Sequence, residues 1–305
     1  MSESVSVVIP VYNRAATLAA AIDSVLAQTK PVDEIWIVDD GSRDESPAIA
    51  RRYAMRHESV RFMLQSNAGA AAARNLGMSQ AGSTWVAFLD SDDRWHPEKN
   101  ERCMEAIDSR PECDFLHTSY LVERDGDLHP RLNNVREIRE DRKRMLSIFG
   151  VKTSTVCFRR SLLDDTGFFR EDLHTCEDYE LFWRLIAVSR EIAYLTDDLV
   201  TVVESGNSLT VVTDTVDRCR DDALAISSAL AWIQARSDDP ELLSGMRSHQ
   251  YWAFVELMRA GLKTARLPAV AQSFGWAARH LGLSRSSRAA MSALASLHRD
   301  ASEKH

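Results

Sequence analysis

"VAFLDSDDRW", residues 86–95, runs an apolar strand pattern into three carboxylates, Asp90, Asp92 and Asp93, within four positions. Acids this close repel one another, and a hard divalent cation relieves the repulsion by taking oxygen ligands from one or two of them and filling its shell with water and phosphate. A strand that is apolar along its length is typical of a parallel sheet covered on both faces, and ligands of such sheets bind beyond the carboxyl ends of the strands. The stretch therefore predicts an α/β fold with a Mg²⁺- or Mn²⁺-assisted phosphate site at one sheet edge. An EF-hand loop is excluded, because its sixth position must be glycine and Trp95 stands there.

The flanking chain supports the α/β reading. Val5–Ile9 reads as a buried strand and Ile35–Val38, Val60–Leu64 and Trp85–Leu89 as further apolar strands, separated by helical patterns over Leu18–Leu26, from about Asp44 to Ala54, and after Ala68–Ala73. After the acids the order changes. Phe115–Glu123, a turn at Asp125-Gly126 and a run from Leu128 predict a hairpin, and Thr155–Arg159 predicts a further strand. Short strands near 192–195 and 199–203 follow a helix over 177–188, so the sheet becomes mixed. From Thr215 the pattern is helical, with Trp232, Trp252 and Trp276 expected to anchor helix packing. The expected division is a catalytic unit over 1–210, whose pattern changes near 115, then a helical region over 211–305.

Composition narrows the class. The 305 residues are 45% hydrophobic, enough for a sizeable core, and the net charge of −8 argues against a nucleic-acid partner. No run of about 18 uncharged apolar residues is present and the first residues lack a secretory pattern, so a cytoplasmic location is expected. The five cysteines are scattered without a CxxC pair, which suits reduced buried thiols rather than disulfides or zinc. Arg259 to Arg299 holds seven Lys or Arg and no Asp or Glu. This basic tail suits either peripheral contact with an anionic membrane or packing on an acidic surface, the catalytic unit or a second subunit of a homo-oligomer.

Five ordered segments then carry a resemblance: "VVIPVYNRAATLAAAIDSVLAQT" (7–29), "EIWIVDDGSRDES" (34–46), "NAGAAAARNLG" (67–77), "FLDSDDRWHPEK" (88–99) and "EDYELFWRL" (177–185). In order and spacing they resemble the family 2 glycosyltransferases over roughly residues 5–205. The resemblance implies the GT-A fold, with a mixed central sheet between helices, a nucleotide-sugar half to about 115 and an acceptor half over 116–210, and an inverting, non-processive transfer of one sugar. It implies a donor that is a nucleotide-diphosphate sugar, of the UDP or dTDP kind, and an acceptor hydroxyl on a glycan or glycolipid of the bacterial surface.

By the same resemblance Pro10, Val11, Tyr12 and Asn13 lie along the nucleotide, and Asp39 and Asp40 address base and ribose. A carboxylate suits that task because it accepts from a pyrimidine N–H or a ribose hydroxyl. Asn67 and Gly69 match the family's loop, and Arg74 its arginine near the base, where it is expected to balance Asp39 and Asp40. Asp92 matches the metal-binding acid, with Asp90 and Ser91 beside ribose and metal. Asp178 matches the general base and Glu177 its neighbour. His174, Thr153, Ser154 and Thr155 fall in polar loops whose role the sequence leaves open, and Asp44 and Asp93 read as helix or turn residues. The sequence departs from processive synthases in lacking QxxRW. Two other readings stay open: a phosphatase using the DxD, although here the motif sits on the fourth strand and Arg94 follows, and a nucleotide-sugar binding module without turnover.

Overall fold

A computed structural model describes residues 3–130, 140–148, 151–204 and 213–264, with Arg266 and Gly275. Strands β1 (Val5–Val11), β2 (Glu34–Asp39), β3 (Val60–Leu64) and β4 (Trp85–Phe88) alternate with helices α1 (Leu18–Leu26), α2 (Ser46–Arg56) and α3 (Ala70–Gln80). Then come β5 (Arg94–Trp95), α4 (Lys99–Asp108), β6 (Cys113–Arg124), β7 (Asp127–Pro130), α5 (Arg142–Ile148), a 3₁₀ turn (Thr153–Thr155), β8 (Cys157–Arg159), α6 (Leu162–Thr166), α7 (Glu177–Val188), β9 (Glu191–Val203), α8 (Thr215–Gln234) and α9 (Pro240–Lys263).

One mixed sheet runs in the order β3-β2-β1-β4-β8-β6-β9-β5, with β7 paired to β6. The first four strands are parallel, and the chain leaves β1 toward β2 on one side while β4 lies on the other. Their carboxyl ends flank the point where strand order reverses, which is where open α/β sheets bind ligands. Pro10 helps open this crevice. Val8 accepts from Leu89 and Val11 from Asp40, so alternate β1 residues face β4 and β2, and Pro10 faces β4 beyond the last paired residue, Val8. A residue without an N–H is tolerated only where no ladder partner waits for it.

The stretch 86–95 also bends the sheet. In a flat sheet β5 would lie four strand spacings, roughly 19 Å, from β4. The step from Phe88 to Arg94 contains the tight Asp90–Asp93 turn, closed by a 3.0 Å hydrogen bond, so it cannot reach that far. The sheet curls instead, and β5 pairs with β9 through Arg94–Thr201 and Trp95–Val200. The acids are thereby pinned at both ends.

Side chains alternate between two cores. Val5, Val7, Ile9, Trp85, Ala87 and Leu89 pack with α1, α2 and α4 on one face. Val8, Val86, Phe88, Phe115 and Phe158 pack with α3, α5, α6, α7, α8 and α9 on the other. The helices α8 and α9 thus contribute to the same core as α7. On α3, Gly77 lies so close to the sheet that a Cβ there would meet Val8 Cγ1 at 2.5 Å.

Several expectations need correction. The two short strands of 192–203 are one irregular strand, β9, held parallel to β6 through register shifts. The expected helix at Asp44 begins at Ser46, after the N-cap residue Glu45, and Asp44 accepts from Ser46 N at 3.0 Å. Trp252 is 54% exposed and lies edge-on to Tyr251 rather than in the helical core, while Trp232 is half-buried against that core under Arg236 and Trp276 lies outside the described residues. Trp183 and Phe254, both fully buried, are the large side chains that fill the helical core. The proposed boundary at 210 and the basic tail beyond Arg266 also fall outside the described residues, Gly275 apart.

Candidate active site

The β1 and β2 loops are laced together at the crevice. Asn13 adopts a left-handed backbone (φ 52°), donating its N–H to Ser42 Oγ and accepting from Arg43 N, both at 2.8 Å. Arg14 reaches across to Asp92, with Nη2 3.4 Å from Oδ2. Pro10 and Val11 are buried, whereas Tyr12 is 45% exposed at the mouth.

Asp39 and Asp40 do different things. All of Asp40 is engaged: Oδ1 accepts from Gln65 Nε2 (2.8 Å) and Ala68 N (2.7 Å), and Oδ2 from Gly69 N (2.8 Å) and Asn67 Nδ2 (3.2 Å). Four donors use the lone pairs a carboxylate offers, so Asp40 builds the 65–69 loop. Gly69 closes that loop at φ 96° and ψ 164°, a conformation that only glycine adopts readily. Asp39 is fully buried, and its Oδ1 accepts from Ser42 N at 2.8 Å. Its Oδ2 is buried without a hydrogen-bond partner among the described residues, an uncommon state for a carboxylate oxygen.

Gly69 starts α3, and α3 carries Arg74 into the centre of the site. Arg74 is 5% exposed; it donates from Nη2 to Asp90 Oδ1 at 2.8 Å and from Nη1 to Glu177 Oε1 at 2.7 Å. It therefore joins the acids after β4 to those opening α7, rather than balancing Asp39 and Asp40 as the sequence led us to expect. Burial opposes its charge, but Asp90 and Glu177 outweigh this and hold the guanidinium protonated. Burial, and then Asp178, push Glu177 up to about 7.

Asp178 sits one residue on, at the start of α7. Cys176 precedes the pair with a left-handed backbone (φ 61°), a strain of about 1–2 kcal/mol for a non-glycine residue. Asp178 Oδ2 accepts from Thr153 Oγ1 at 2.8 Å and Oδ1 from Tyr179 N at 2.9 Å. Burial lifts its pKa above the ordinary aspartate value, against the pull of Arg74 and the Thr153 hydroxyl. The segment ahead of it is held by α8, where Asp221 Oδ2 accepts from the backbone of His174 (3.2 Å) and Thr175 (3.1 Å). The His174 side chain itself is exposed.

The 3₁₀ turn links these groups. While Thr153 holds Asp178, Ser154 Oγ accepts from Asp90 N at 3.0 Å and donates to Asp93 Oδ2 at 2.5 Å. Asp93 also accepts from Val203 N at 3.1 Å, so it fastens the turn to β9, as its structural reading expected. Burial, and then Asp90, push Asp93 up to about 8. Sequence reasoning left Thr153 and Ser154 open because their value lies in partners 25 and 61–64 residues away. It missed Arg14 and Asp221 for the same reason.

Among the described residues no three His, Cys, Asp or Glu side chains form an all-protein metal cage. Asp92 and Asp90 fit the sparser kind, one or two carboxylates completed by substrate phosphates. Burial and the charge of Asp90 raise the Asp92 pKa, a repulsion that a divalent cation relieves. Ser91 between them is buried. Beyond Asp178 lies a cavity of about 600 Å³ between α7, α8 and α9.

Known proteins resemble this chain in sequence and fold. The glycosyl transferase family 2 model matches residues 6–167, more than half of the chain. The putative teichuronic acid biosynthesis glycosyltransferase TuaG of Bacillus subtilis is 40% identical over 124 residues, 40% of this chain and 49% of that protein. The uncharacterized glycosyltransferase YibD of Escherichia coli is 41% identical over 103 residues, 34% of this chain and 30% of that protein. The chain thus matches less than half the length of either relative. S. aureus TarS 1-349 in complex with UDP-GlcNAc superposes with a TM-score of 0.71 at 18% identity, covering 97% of this chain and 92% of that one. The mannosyltransferase PcManGT of Pyrobaculum calidifontis, in complex with GDP-Man and Mn²⁺, gives 0.63 at 20% identity, covering 97% and 81%. These neighbours share the curled mixed sheet of the GT-A fold, and on the family match the chain belongs to glycosyl transferase family 2.

Proposed function

We propose that the protein is an inverting, non-processive transferase that moves one sugar from a nucleoside-diphosphate donor, of the UDP or dTDP kind, to an acceptor hydroxyl in the assembly of a bacterial surface glycan. The observation that carries this reading is the Arg74 bridge, which joins the DxD acids to the Glu177-Asp178 pair in one centre. The TarS complex with UDP-GlcNAc supports a uridine donor.

In this reading the base stacks on the exposed Tyr12 ring and gives an N–H to the unpartnered Asp39 Oδ2, while Asp40 holds the loop around it. Asp92, with Asp90, would hold Mn²⁺ or Mg²⁺, which supplies charge neutralisation to the diphosphate when bound; the Mn²⁺ complex of PcManGT supports that choice. Asp178 takes the proton of the acceptor hydroxyl as that oxygen bonds to the anomeric carbon, and the pair from the breaking C1–O bond leaves with the diphosphate. Attack opposite the leaving group inverts the anomeric centre. Glu177 keeps Arg74, and through it Asp90, in register with the base.

A thermal-shift panel of UDP, dTDP and GDP with and without Mn²⁺ tests the assignment. Stabilisation by UDP or dTDP that requires the cation is expected; indifference to all three nucleotides would refute it.

A further inference from the structure

Arg14 brings a second guanidinium to the acids after β4, from the β1 side of the crevice. Its Nη2 lies 3.4 Å from Asp92 Oδ2, with 26% of the Arg14 side chain and 18% of the Asp92 side chain exposed. The root of this side chain is fixed: Arg14 N donates to Ser46 Oγ at 2.8 Å, and Arg14 O accepts from Thr17 N at 3.1 Å and from Leu18 N at 2.9 Å. Any movement of its charge is therefore a rotation of the side chain about a stationary backbone. The two arginines of the centre differ in kind. Arg74 is buried and clamped at 2.8 and 2.7 Å between Asp90 and Glu177, so its departure would leave two acids uncompensated. Arg14 holds its acid at the longer distance and in a partly solvated place, where exchanging one anion for another costs far less.

Asp92 is also the acid that fits the divalent cation. A guanidinium and such an ion repel each other across one carboxylate, so the ion either displaces Arg14 or binds weakly beside it. A nucleoside diphosphate removes the conflict, because phosphate oxygens accept from a guanidinium in the same forked geometry that a carboxylate offers. We propose that Arg14 serves two anions in turn: it pairs with Asp92 until the donor arrives, then rotates onto the diphosphate and yields Asp92 to the cation. Uptake of cation and donor is thereby coupled through one side chain. The proposal rests on the transferase reading and adds to it a residue that sets the order of loading. By linkage, the factor by which UDP raises Mn²⁺ affinity equals the factor by which Mn²⁺ raises UDP affinity, and Arg14 contributes to both.

The test titrates Mn²⁺ into the full chain with and without UDP, reading unbound Mn²⁺ by electron paramagnetic resonance. Arg14→Gln is expected to bind Mn²⁺ alone about tenfold more tightly than the parent, the scale of one charge-assisted contact. In the same variant the affinity gain that UDP confers on Mn²⁺ is expected to shrink by about tenfold or more, and calorimetric titration of UDP at zero and saturating Mn²⁺ should return the same factor. Arg14→Lys keeps the charge and is expected to fall between the parent and Arg14→Gln. Arg52→Gln removes the same net charge from an exposed position on α2 and is expected to change neither affinity. A merely structural defect would weaken Mn²⁺ binding, so the expected sign separates exchange from misfolding. Mn²⁺ binding to Arg14→Gln that is unchanged or weaker, or UDP coupling equal to the parent's, overturns the proposal. A parent that takes up no UDP at saturating Mn²⁺ refutes the donor reading itself, and the exchange falls with it, so the two failures are distinguishable.

Discussion

The Thr153 hydroxyl donates a 2.8 Å hydrogen bond to Asp178 Oδ2 from a 3₁₀ turn 25 residues away. That bond favours the charged carboxylate, while burial favours the neutral one, and burial prevails. The acid limb of the kcat profile is therefore expected above the ordinary aspartate range, with activity rising as pH increases and Asp178 loses its proton. Thr153→Val removes the opposing bond and is expected to move that limb to higher pH. A limb that stays in place would separate Thr153 from the base.

Asp178→Asn is expected to retain nucleotide affinity and lower turnover about 10²–10⁴-fold, the usual contribution of a positioned base. A binding module without catalysis predicts no turnover in either form. Product formation from a radiolabelled donor distinguishes the two.

Removing Arg74 leaves Glu177 and Asp90 facing each other's neighbours without their cation. Arg74→Ala is expected to cost about 3–5 kcal/mol, the range for breaking a buried pair on one side. Adding Glu177→Gln to it should restore part of the loss, because one uncompensated charge is then gone. Urea unfolding of the single and double variants measures both; a double variant weaker than the single would contradict the bridge.

The neighbouring acids of β2 should separate under mutation. Asp40→Asn turns an acceptor of four hydrogen bonds into a poorer one and is expected to lower stability by about 1–3 kcal/mol. Asp39→Asn is expected to show chiefly as weaker UDP binding, since Oδ2 has no partner to lose among the described residues. Parallel melting and titration curves read this contrast.

Stability should also depend on pH in a particular direction. Burial raises Glu177 to about 7 and Asp93 to about 8, so their neutral forms favour the fold. Stability tied to a raised pKa is complete below the unfolded value and is lost as pH climbs through the folded one. The metal-free chain is accordingly expected to melt lower at pH 8.5 than at pH 6, by roughly a few degrees for a chain of this length. Mn²⁺ should stabilise more at the higher pH, because it binds the ionised acids. Differential scanning calorimetry at both pH values gives the answer.

Much of the first 90 residues was legible because β1, β2 and β4 are largely apolar and their helices keep a 3.6-residue period, although β3 carries Arg61 and leaves Leu64 exposed. The curl was not: it follows from β5, two residues long, whose partner β9 begins nearly a hundred positions later. Trp252 misled because a large apolar residue in a helix predicts burial only on average, and its side of α9 faces outward. The acids of the site could be found by motif. Their division of labour could not, since it depends on whether Asp39 or Asp40 meets the 65–69 loop, and on where Arg74 points.

Gly77 shows how directly backbone spacing governs the chemistry. It sits one turn after Arg74, against Val8 and Val38, where an added methyl would meet Val8 Cγ1 at 2.5 Å. The helix is thus a spacer whose thickness sets how deep the guanidinium sits, and any side chain larger than hydrogen acts as a shim beneath it. Alanine there is expected to lift the arginine away from both acids at once, without changing any side chain of the Arg74 bridge itself.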